Sequence, residues 1–76
     1  MPWEKISTVI SGQYGEKTIT YKRRNSDIRI ESRKRAIPHA NGRGVWMHTS
    51  YFVIWPDGRE REFYSLADAK AAAEGR

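Results

Sequence analysis

Not one cysteine occurs in this chain, so whatever fold its 76 residues adopt must be held without a disulfide or a thiolate metal site. A domain of this size buries only about 60% of the surface its unfolded chain exposes, so the core must be thin and the stability marginal. A thin core leaves little surplus for a strained, water-excluding catalytic pocket. His39 and His48 are the only imidazoles and do not stand at metal-ligand spacing, so no metal and no cofactor is expected. No G-x-S-x-G elbow, Walker loop or visible nucleophile partner accompanies either histidine, and the sequence predicts a domain without catalytic residues, not an enzyme.

The rest of the chain reads as strands followed by one helix. Lys5 to Ile10 favours extended structure, and Ser11 to Glu16 is turn-like. From Lys17 to Arg24 the residues Thr18, Thr20 and Lys22 alternate with Ile19, Tyr21 and Arg23. After the turn residues Asn25-Ser26-Asp27, Ile28 and Ile30 point inward while Arg29, Glu31 and Arg33 point outward, so the two runs predict a hairpin. Lys34 to Gly44, with Pro38, Gly42 and Gly44, predicts a mobile loop. Val45 to Trp55 is the richest in β-branched and aromatic types and predicts a central strand. Its Tyr51–Trp55 half is apolar on both faces, which asks for the helix on one and an additional strand, a terminus or a partner on the other.

Pro56-Asp57-Gly58 is a turn, and Arg59 to Tyr64 pairs back. Ser65 as N-cap, Asp68 three residues on, and the alanine-rich Leu66 to Glu74 predict a closing helix. Leu66, Ala69 and Ala73 share one side of that helix, and Lys70 and Glu74 lie on the other. The predicted architecture is α+β, one domain over residues 1–76: a small antiparallel sheet of three to five strands with a C-terminal helix on one face.

Charge is unevenly spread. Residues 1–43 carry ten basic and four acidic side chains, a net +6, whereas residues 44–76 carry four and five, a net −1. Between Lys17 and Arg35, eight basic residues face only Asp27 and Glu31. A cluster of this density attracts phosphates and releases their condensed counterions. Lys22, Arg23, Arg24, Arg29, Arg33, Lys34, Arg35 and Arg43 are therefore the candidate nucleic-acid contacts. Trp46 joins them because it follows the glycine-rich loop beside the basic region, whereas Phe52, Trp55 and Phe63 are expected in the core.

The stretch Trp55 to Ala73 resembles the end of an AP2-like domain, and the similar arm-binding domains of phage integrases, with Phe63, Ser65, Asp68, Ala69 and Ala72 at the matching spacing. The opening and the tryptophan-glycine features of plant AP2 domains are absent, and an additional N-terminal strand is expected. The resemblance implies a three-stranded sheet laid in the DNA major groove, with outward Arg29, Arg33 and Trp46 in contact.

The expected partner is DNA or RNA. The alternative is a protein-interaction module or inhibitor of the mobile-element kind, presenting its basic face to an acidic protein surface; unpaired strand edges also offer a route to strand addition or to a homodimer. No apolar run reaches the length of a membrane span and Met1 to Ile10 lacks the segments of a secretory signal, so no membrane partner and a cytoplasmic location are expected.

Overall fold

Each run of β-branched and aromatic residues pairs with the run before it. The computed structural model describes residues 2–75. It contains β1 (Trp3–Ser11), β2 (Glu16–Arg23), β3 (Arg29–Pro38), β4 (Val45–Ile54), β5 (Glu60–Phe63) and α1 (Leu66–Ala73). The five strands form one antiparallel sheet in chain order, β1-β2-β3-β4-β5. The molecule is elongated, 45 × 21 × 21 Å, because only one end of the sheet is covered by the helix. Among the described residues, no helix is long and apolar enough to cross a membrane.

Period-two alternation decides what the helix can cover. Ile30 of β3 lies opposite Val53 of β4, both are completely buried, and Ala69 of α1 closes over them. Tyr21, Tyr51, Phe63, Trp55 and Leu66 pack around this cluster, so the covered face is the one bearing Ile30 and Val53. Alanines at Ala69, Ala72 and Ala73 let α1 lie close to the sheet. The Ser65 hydroxyl oxygen accepts from the Asp68 backbone N–H at 3.1 Å, as expected of an N-cap.

Three sequence expectations are corrected. The loop expected over Lys34–Gly44 is strand as far as Pro38, paired residue by residue with β4 out to Val45, and only residues 39–44 turn back. This part of the sheet lies beyond the helix, where no core demands alternation, so cross-strand pairing forms it without an apolar period. The position in the middle of the sheet belongs to β3, with β4 next to it. Finally, Phe52 is not part of the core: it lies on the face of β4 away from the helix, where the Arg33 guanidinium carbon sits 4.1 Å from its ring centroid.

Glu74 also departs from the solvent-facing position expected of it. Its carboxylate accepts from the Trp3 indole N–H at 2.9 Å and stands 3.4 Å from Arg23, tying the first strand to the end of the helix.

The β4–β5 turn depends on one residue. Gly58 has φ of +93°, its N–H donates to the Trp55 carbonyl at 3.0 Å, and Asp57 accepts from the Arg59 N–H at 3.0 Å. A Cβ there would meet nothing within 4 Å, so the whole cost of Gly58→Ala is backbone strain, about 1–2 kcal/mol. Urea denaturation is expected to show that loss.

Candidate nucleic-acid interface

Register sorts every charged strand residue onto one of two faces. Glu4, Lys22, Arg29, Ile54 and Glu60 lie in one row across the sheet; Thr20, Glu31, Phe52 and Glu62 lie in the next. These rows, with Glu16, Arg33 and Arg35, belong to the open face, opposite the helix. That face carries four strand cations, Lys22, Arg29, Arg33 and Arg35, against five carboxylates.

Most of the open-face charges are already engaged. Arg33 donates to Glu31 at 2.7 and 2.9 Å and to Glu60 at 3.1 Å. Burial works against its charged form, but the hydrogen bonds to Glu31 and Glu60 outweigh it and hold the guanidinium above its ordinary value. Arg35 donates to the Thr18 hydroxyl and to the Lys17 and Lys34 carbonyls at 2.8–3.1 Å. Glu16 accepts from the Ala36 N–H at 3.0 Å, satisfying a backbone donor that β2 is too short to reach. Tyr64 donates to Glu62, and that hydrogen bond raises the phenol above its usual value.

Trp46 is exposed at 47% and stands edge-on to His48, with centroids 5.9 Å apart; His48 in turn lies 6.0 Å from Tyr64. Arg29, Arg33 and Trp46, the contacts implied by the resemblance, do share the face away from the helix. Arg33, however, is committed within the molecule.

The other sequence candidates scatter. Lys22, Arg23 and Arg24 line an open groove of about 430 Å³ with Glu4, Ile6 and Asn25, at the end of the sheet where β2 turns into β3. Arg23 points to the helix side, stacked 5.7 Å from Trp3 and bridged to Glu74, and its buried Nε has no hydrogen-bond partner among the described residues. Lys34 also lies on the helix side, and Arg43 is exposed in the loop at the far end. Alternation therefore divides what looked like one cationic ribbon between two faces.

Sequence reasoning omitted Lys5, Lys17 and Arg61. They share the helix-bearing face with Arg23 and Lys34, and no strand carboxylate is on that face. Two like-charged pairs stand directly opposite each other across β2 and β3: Lys22 with Arg29 on the open face, Lys17 with Lys34 on the helix-bearing face. None of these four makes an ion pair among the described residues. No group of three metal-capable side chains occurs among the described residues. Compared with known proteins, the chain matches no family model, no curated protein and no solved structure.

Proposed function

We propose that this chain is a non-catalytic nucleic-acid-binding module of the cytoplasm that seats cations of its β2–β3 ribbon on a phosphate backbone. One observation carries the reading: the pairs Lys17–Lys34 and Lys22–Arg29 are directly opposed like charges at the two ends of the same ladder. Such pairs destabilise a sheet, each by about 0.2–1 kcal/mol, and in a domain this small that cost is a real fraction of the whole. An anion lying between two opposed cations turns repulsion into attraction, and a phosphate backbone laid along one face of the sheet supplies that anion to the pair on that face. The test is fluorescence anisotropy of a labelled DNA duplex and a labelled single-stranded RNA across a salt series, with affinity expected to fall steeply. Binding that ignores salt overturns the reading.

A second reading, docking to a protein by strand addition, has one observation in its favour. The outer edge of β1 is long and unpaired and exposes Ile6, Val9 and Ile10 at 54–64%, whereas the opposite edge, β5, is four residues long and carries Glu60, Arg61 and Glu62. Natural sheets blunt their edges in the manner of β5; β1 is left open. If β1 pairs with a second copy, light scattering is expected to show a concentration-dependent dimer that Val9→Lys abolishes. A monomer at every concentration excludes the self-paired form.

A further inference from the structure

The two faces of the sheet differ in charge in a way that the total of +5 conceals. Every carboxylate on a strand, from Glu4, Glu16, Glu31, Glu60 and Glu62, projects from the open face. The helix-bearing face holds Lys5, Lys17, Arg23, Lys34 and Arg61 with none. The helix contributes Asp68, Lys70 and Glu74, and Glu74 is bonded to Trp3 and Arg23. Because α1 packs on β3, β4 and β5 around Ile30 and Val53, it leaves the far half of this face bare. Lys34 stands four residues beyond Ile30, about 13 Å along the strand, and is exposed.

Resting on the nucleic-acid reading above, we infer that the phosphate backbone lies on the helix-bearing face, in the step between α1 and the uncovered half of the sheet, with Lys17 and Lys34 as its central contacts. Their row across the sheet is Ile10, Lys17, Lys34 and Thr49, which offers no carboxylate to either ammonium group. The corresponding row on the open face is different: Lys22 has Glu4 on one side and Arg29 on the other, and Glu60 closes the row. Directly opposed side chains start about 5 Å apart at Cβ, close enough for one phosphate to accept from both ammonium groups. Residue type agrees. Lysine is a compact, fully hydrated point charge suited to a phosphate met at any angle, whereas Arg33 and Arg35 of the open face spend their forks on Glu31, Glu60, Thr18 and backbone carbonyls. Thr8 and Thr49 add hydroxyls to the same surface.

Two double variants that remove equal charge decide the face. Lys17→Gln with Lys34→Gln is expected to weaken binding of a labelled DNA duplex at least tenfold at low salt and to flatten the salt slope by about 2, with a smaller flattening on single-stranded RNA. Lys22→Gln with Arg29→Gln is expected to change affinity less than threefold. A third variant guards against misfolding: Lys34→Glu replaces a like-charged pair with an opposite-charged one, so Tm is expected to rise by a few degrees while binding is lost. Equal losses in the two double variants, or a larger loss from Lys22→Gln with Arg29→Gln, overturn the assignment of the face and leave the nucleic-acid reading standing. If the unaltered protein binds neither duplex nor RNA in a salt-dependent way, both fail together.

Discussion

Ile30→Ala is expected to cost about 3 kcal/mol and to lower Tm by roughly 12–24 °C, the largest effect of any single truncation in the chain. Ile30 and Val53 are the largest fully buried side chains among the described residues, and they face each other across β3 and β4 under Ala69. Removing Ile30 loses its transfer free energy and leaves a void that the small alanines of α1 have no atoms to fill. A chain of this length has roughly 4–11 kcal/mol of stability in total, so the variant sits close to the limit of folding. Ile30→Val, which keeps most of the volume, is expected to cost only about 1 kcal/mol. Thermal unfolding followed by circular dichroism measures both. A fall in Tm of less than about 4 °C for Ile30→Ala would mean that stability is spread along the sheet instead of being centred under the helix.

Nucleic-acid affinity is expected to drop about 40- to 150-fold between 50 and 200 mM monovalent salt. The figure follows from the number of cations that one face can bring to a backbone. With Arg23 tied to Glu74, three or four remain on the helix-bearing face from Lys5, Lys17, Lys34 and Arg61. Each neutralised phosphate contributes about −0.9 to the slope of log affinity against log salt on duplex DNA, giving roughly −2.7 to −3.6. A slope near −7 would require the cations of both faces to bind at once, which one backbone cannot arrange through a sheet. A slope shallower than −1 would leave the opposed pairs without a ligand of this kind.

The helix and its cap were legible because each signal is local: Ser65, Asp68 and the alanine run lie within one stretch. The turns at Asn25-Ser26 and Pro56-Asp57-Gly58 were legible for the same reason, as was the inward pair Ile28 and Ile30. What could not be read was anything requiring register across several turns. Within β3 the sequence shows that Arg29, Glu31 and Arg33 share a face. It does not show that Glu60, 27 residues further on, shares that face and takes up Arg33. The assignment of β1 is harder still, because the pairing shifts between Lys5 and Ser7 and the bulge reverses the parity of every residue after it. An unbroken alternation would have put Lys5 and Val9 on the same side; in the structure they are on opposite ones. The separation of acids from lysines is thus a property of pairing, and composition along the chain blurred it into one basic ribbon. The bond from Trp3 to Glu74 joins residues 71 apart and had no local signature at all.

That same distance bears on how the chain reaches its native state. Each strand meets its predecessor across a connection of four to six residues, so every hairpin closes a short loop and pays little entropy to do so. Zippering can begin at any turn and spread to its neighbours, a route associated with rapid folding. Docking Trp3 onto the end of α1 is the exception, since both partners must first be built at opposite ends of the polypeptide; it is the step that fastens a finished ribbon rather than one that starts it.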